Sequence, residues 1–136
     1  MKEEQTPRVS GHPRRPRILV VDDNADAGET LSALLAAHDF EVVYAADGPS
    51  ALDEAPLFCP DLAILDIGLP VMDGYELAAR IRALPQGAPM HLIALSGYGS
   101  DTDPARAVSA GFDHHLVKPA PVADLIDAIR RLLRQA

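Results

Sequence analysis

Asp22, Asp23, Asp66, Ser96 and Lys118 have residue types and positions that could do chemistry together. Each follows a short apolar run. Ile18-Leu19-Val20-Val21 runs into Asp22-Asp23, and Leu62-Ala63-Ile64-Leu65 runs into Asp66. Leu92-Ile93-Ala94-Leu95 runs into Ser96, and His115-Leu116-Val117 runs into Lys118-Pro119. Apolar runs bounded by turn signals and separated by helical patterns read as buried strands of a parallel sheet. Open sheets of that kind bind ligands at the carboxyl ends of their strands. The pattern therefore aims three carboxylates, a hydroxyl and an ammonium at one small volume. Two carboxylates about 4 Å apart repel by roughly 4 kcal/mol at an effective dielectric of 20, so such a gathering needs compensating charge. Lys118 supplies one positive charge, and a hard divalent cation such as Mg²⁺ would supply two more. A carboxylate nucleophile, a cation, a lysine and a hydroxyl are the parts of phosphoryl transfer, which is mostly positioning and charge stabilisation. Taken singly, each residue could be a helix cap, a turn or a surface group. Turn chemistry does not explain four such strand ends together.

The elements that must carry these residues alternate along the chain. After the first strand, Leu31, Leu34, Leu35 and His38 fall at helical spacing, with Asp26 and Glu29 as a capping box. Glu41 to Ala45 alternates like a strand, and Gly48-Pro49 opens a second helix. Asp73 is placed to cap a third helix carrying Leu77, Ala78, Ile81 and Leu84. Asp103-Pro104 starts a fourth that stops before Gly111. The last strand covers Asp113 to Val117, and the final helix carries Val122, Leu125, Ile126, Ile129, Leu132 and Leu133. The expectation is an α/β fold, a doubly wound sheet of five parallel strands alternating with five helices. No internal repeat is evident.

Composition narrows the class. The 136 residues suit one domain, and 48% hydrophobic content argues for a packed globule. The net charge of -8 argues against nucleic acid as a direct partner. The single cysteine, Cys59, excludes an internal disulfide and reads as a small apolar packing residue. No apolar stretch reaches the length of a membrane span, and no signal peptide is evident, so a cytoplasmic location without membrane partners is expected. Residues 1–16 are polar, with Pro7, Pro13, Pro16 and several arginines, and read as a disordered tail before a domain at 17–136.

The segments ILVVDDN (18–24), LAILDIGLPVMDGYELA (62–78), ALSGY (94–98) and GFDHHLVKP (111–119) together resemble the receiver domain of bacterial two-component response regulators. The resemblance spans about residues 17 to 134 and is specific in combination, although no single piece is. It implies a flavodoxin-like fold with strand order 2-1-3-4-5. It implies that Asp66 accepts the phosphoryl group. Asp22, Asp23, Asp66 and the Gly68 carbonyl would hold Mg²⁺, or Mn²⁺ in its place. Ser96 would bond the phosphoryl oxygen and move on phosphorylation, and Lys118 would pair with Asp66. The Lys118–Pro119 bond would be cis.

Three positions depart from the common pattern. His115 stands where an aromatic switch residue is usual. Gly68 stands where a side chain often reaches the phosphoryl group. Tyr98 follows Ser96 by two places, where small or polar residues are common. Gly68 and Tyr98 bear on access to the phosphoryl site, and Ser96 with His115 on the switch. The neighbouring His114 and His115 point to opposite faces of a strand, which disfavours a metal pair.

The function expected is that of a phosphorelay receiver. It takes a phosphoryl group from a histidine kinase or phosphotransfer protein and passes the signal to a downstream protein target. It would not be an enzyme beyond its own phosphorylation and autodephosphorylation. The chain ends just past the last helix, so no output domain is expected. It is either a stand-alone regulator or a receiver excised from a hybrid sensor kinase. A pseudo-receiver that only binds partners is disfavoured by the intact Asp22, Asp23, Asp66, Ser96 and Lys118. A phosphatase with an aspartyl nucleophile ranks last, because it would need a second acid where Gly68 stands.

Overall fold

In the computed structural model, residues 14–97 and 103–134 are described. Five strands alternate with five helices. They are β1 (Arg17–Val21), α1 (Ala25–Ala37), β2 (Glu41–Ala45), α2 (Gly48–Phe58), β3 (Leu62–Asp66), α3 (Gly74–Arg82), β4 (His91–Ser96), α4 (Pro104–Ala110), β5 (His114–Val117) and α5 (Val122–Leu133). The strands form one parallel sheet in the order β2-β1-β3-β4-β5.

The alternation along each strand builds two cores. Leu19, Val21, Ala63, Leu65, Leu92 and Ala94 face one side and pack with Ala51, Ala55, Leu77, Ala78 and Ile81 from α2 and α3. Ile18, Val20, Leu62, Ile64, Ile93 and Leu95 face the other side and pack with Leu35 of α1 and Leu125, Ile126 and Ile129 of α5. Parallel crossovers share one hand, so the helices change face where the chain reverses its direction of travel across the sheet. That reversal lies between β1 and β3, the strands that end at the acids. Each fully buried Leu or Ile side chain contributes about 1.5–3 kcal/mol, so the strand ends sit on a stiff support.

Helices α3 and α4 start where Asp73 and Asp103-Pro104 place them, and the cap of α2, Asp47, is one the sequence pattern did not single out. The side chains of Asp47, Asp73 and Asp103 accept from the amides of Ser50, Glu76 and Arg106. Helix α1 differs. Its cap is Asn24, whose side chain accepts from Ala27 N, and not the Asp26–Glu29 box. The strand ends at Val21, so the helix can begin two residues earlier than the box would place it. Cys59 also differs. It is exposed and forms the C-cap of α2 at φ 53°, a left-handed position on the surface. Of the expected tail, residues 1–13 lie outside the described part. Arg14 pairs with Asp61 at 3.1 Å, and the Pro16 carbonyl accepts from Glu41 N at 2.9 Å.

Candidate functional site

Asp66 is the last residue of β3, Asp22 and Asp23 follow β1, Ser96 ends β4, and Lys118 follows β5. The sheet order therefore brings together all five residues singled out by type and spacing. One carboxylate oxygen from each of Asp22, Asp23 and Asp66 lies within 4.8 Å of the others. Asp22 and Asp66 are buried, at 5% and 7% exposure, while Asp23 faces solvent.

Buried carboxylates need partners, and these have them. The Lys118 ammonium donates to Asp22 Oδ2 at 3.0 Å and to Asp66 Oδ2 at 3.3 Å. Asp22 Oδ1 accepts from the Asn24 amide at 2.9 Å, and Asp66 Oδ1 accepts from the Gly68 amide at 3.0 Å. Burial works against the charged lysine, but the hydrogen bond to Asp22 and the charge of Asp66 outweigh it. The Lys118 pKa therefore lies above its ordinary value of 10.5. The Lys118–Pro119 peptide bond is cis, and the Lys118 amide donates to the Ser96 carbonyl at 2.7 Å.

The loop from β3 into α3 is pressed close to the acid. A Cβ on Gly74 would lie 2.6 Å from the Asp66 carbonyl oxygen and 2.6 Å from the Ile67 Cα, so only glycine allows α3 to start there. At Gly68, by contrast, an added Cβ would meet Asp66 Oδ1 at an ordinary 3.7 Å. A side chain would fit at 68, so its lack leaves the space beside Asp66 open.

Ser96 is buried at 1% exposure, and its hydroxyl is hydrogen-bonded to His115 Nε2 at 2.9 Å. His115 and His114 line an apolar pocket with Ile67, Tyr75, Ala107 and Phe112, beside α4. Tyr98 lies outside the described residues.

Two contacts were not legible in the sequence. One is the Lys118–Asp22 bond, which is shorter than the expected bond to Asp66. The other is Tyr44, whose hydroxyl donates to the Asp22 carbonyl at 2.6 Å. Burial, then the charges of Asp22, Glu29, Asp23 and Asp47, push the phenol pKa up, so it stays a donor. The cue for Tyr44 was weak: one aromatic in a valine-rich strand, with a glycine in the preceding helix.

An open parallel sheet with a lysine-bridged acidic cluster at its topological switch point defines a class, and the comparisons agree with it. The family model for the response regulator receiver domain matches residues 18–130, and the chain belongs to that family. It is 39% identical over 120 residues to the transcriptional regulatory protein PrrA of Mycobacterium bovis, covering 88% of this chain and 51% of that protein. The chain thus spans about half the length of that relative. A 14.6 kDa protein of Leptolyngbya boryana is 35% identical over 114 residues, covering 84% of this chain and 87% of that protein. Among solved structures, the chemotaxis protein CheY4 of Vibrio cholerae superposes with a TM-score of 0.80 at 29% identity, covering 87% of this chain and 98% of that one. No helix among the described residues is long and apolar enough to cross a membrane.

Proposed function

We propose that this receiver accepts a phosphoryl group on Asp66 from a phosphohistidine of a histidine kinase or phosphotransfer protein, and signals to a downstream protein by a change in shape. The observation that carries the reading is the setting of Asp66. Its carboxylate is nearly buried, bonded to Lys118, and close to two further acids. A structural acid in that position would not need the other two.

The donor set fits a hard divalent cation. Three carboxylates gather where one ammonium bonds only two of them, and their oxygens are close enough to share an ion. Asp22, Asp23, Asp66 and the Gly68 carbonyl would hold Mg²⁺ or Mn²⁺, which would supply positive charge to the phosphoryl oxygens. The chain's own residues do the rest. An Asp66 oxygen bonds to phosphorus as the donor's P–N bond breaks and its electron pair stays with the imidazole. Lys118 balances the charge gathered on the transferred group, and the Ser96 hydroxyl donates to one of its oxygens once it has left His115. In this reading the protein is a phosphoacceptor and not an enzyme acting on a separate substrate. The net charge of -8 goes with protein partners and not nucleic acid. A cytoplasmic setting suits the exposed free thiol of Cys59.

The test is intact mass after incubation with acetyl phosphate. Wild type should gain one phosphoryl group with Mg²⁺ and little without it, and Asp66→Asn should gain none. An adduct of equal size on Asp66→Asn would overturn the assignment.

A further inference from the structure

Tyr44 sits on β2, paired with Val20 of β1. The Asp22 amide donates to the Ala45 carbonyl at 3.2 Å, and the Asp22 carbonyl accepts from the Tyr44 hydroxyl at 2.6 Å. Strand β2 therefore grips Asp22 through both of its backbone polar groups. The gripped carbonyl belongs to the peptide bond that joins Asp22 to Asp23. Its plane sets the direction in which Asp23 leaves the strand. Asp23 is exposed, and among the described residues no side chain bonds its carboxylate. Its aim depends on the backbone beneath it.

The tyrosine ring is itself held. A Cβ on Gly28 of α1 would lie 2.2 Å from the ring's Cε1, so the ring occupies the space a side chain at 28 would need. The same helix is capped by Asn24, whose amide donates to Asp22 Oδ1. Ring, glycine and acidic turn form one packed unit.

We infer that Tyr44 is a positioning residue for the Asp22–Asp23 pair, presetting the acidic turn in its cation-holding shape. This rests on the reading that these acids hold Mg²⁺. Without the cation the two carboxylates repel, and a peptide plane pinned by the phenol opposes their drift. Groups that orient metal ligands in this way influence affinity without touching the ion.

The experiment is calorimetric Mg²⁺ titration of wild type and Tyr44→Phe, with melting of both in chelator. Tyr44→Phe removes the hydroxyl and leaves the ring on Gly28. Mg²⁺ affinity should fall about 3- to 10-fold, while the metal-free Tm stays within about 4 °C of wild type. Phosphorylation by acetyl phosphate should recover the wild-type rate at saturating Mg²⁺, since only the metal requirement moves. Gly28→Ala displaces the ring but keeps the hydroxyl, and should show the same loss of affinity. If that variant does not fold, Tyr44→Phe decides alone. A merely structural tyrosine would lower the metal-free Tm and leave the affinity unchanged, which would overturn the inference. Wild-type affinity in Tyr44→Phe would also overturn it, leaving the metal reading intact. Wild type that binds no Mg²⁺ would overturn both.

Discussion

The acidic half of the site and its hydroxyl arm are held very differently. Asp22 is bonded to Lys118, to the Asn24 amide and, through its backbone, to Tyr44 and Ala45. Asp66 is bonded to Lys118 and to the Gly68 amide. The Ser96 hydroxyl, by contrast, is held among the described residues by His115 alone. His115 sits at the edge of an apolar pocket, on a four-residue strand, none of whose residues is fully buried. The difference separates two tasks. The half that gathers like charges must be stiff, or repulsion would spread it. Under the proposed function, Ser96 must let go of His115 to reach a phosphoryl oxygen, and a single bond at the edge of a pocket suits that.

The largest effect should come from breaking the stiff half. Lys118→Met removes the cation that bridges Asp22 and Asp66. Phosphorylation by acetyl phosphate should slow by about 100-fold, the usual loss when one charge-stabilising donor is removed. The same lysine predicts a pH dependence. Its pKa is raised on folding, so its stabilising contribution is complete below 10.5 and is lost as pH rises through the folded value. Urea unfolding at about pH 9 and about pH 11.5 should show wild type losing more stability than Lys118→Met. Parallel losses would mean that the ion pairs do not hold the acids.

A second variant tests whether stiffness is confined to the site. Arg82 donates to the carbonyls of Gly87, Ala88, Met90 and Gly111 and pairs with Asp113 at 3.1 Å. It ties the loop before β4 to the loop before β5, away from the acids. Arg82→Ala should cost about 2 kcal/mol in urea unfolding and leave the phosphorylation rate unchanged. A slowed rate would show that the site depends on this remote staple, and would blur the contrast.

The arm should respond more gently. His115→Phe deletes the bond that holds Ser96 while keeping a ring in place. Release of one hydrogen bond, about 1 kcal/mol, should favour the phosphorylated shape about fivefold, read as tighter binding of the phosphoprotein to its target. Equal affinity would mean that the Ser96–His115 bond is not a brake.

The smallest effect concerns the loop after Asp66. Val71 is fully exposed, yet holds φ 69°, an unfavourable angle for a β-branched residue. Val71→Gly should raise stability by about 0.5–1 kcal/mol. A loss would mean that the freedom glycine gains in the unfolded chain outweighs the strain relieved.

The features legible in the sequence were those written locally. Apolar runs ending in Asp22, Asp66, Ser96 and Lys118 marked both the strands and the site, because a buried parallel strand stops where its first polar residue appears. Asp73 and Asp103 announced their helices for the same local reason. Tyr44 was not legible as a site residue. Its role depends on β2 lying beside β1 in a register that places it against the Asp22 turn. The Lys118–Asp22 bond likewise joins the residue after β5 to the residue after β1, two strands that are not neighbours in the sheet, so spacing along the chain does not show it. The Asp26–Glu29 pattern misled because a capping box is recognised by four residues, whereas the true cap was set by where β1 ended. Cys59 misled because composition says nothing of a left-handed surface cap.

The contrast between a fixed acidic half and a releasable arm is tested most directly by imidazole nitrogen NMR of the five histidines before and after phosphorylation. Once intact mass shows a full phosphoryl adduct, the His115 signals should shift as Ser96 leaves Nε2, while those of His38 and His91 hold still. Unchanged His115 signals in the fully phosphorylated protein would contradict that contrast.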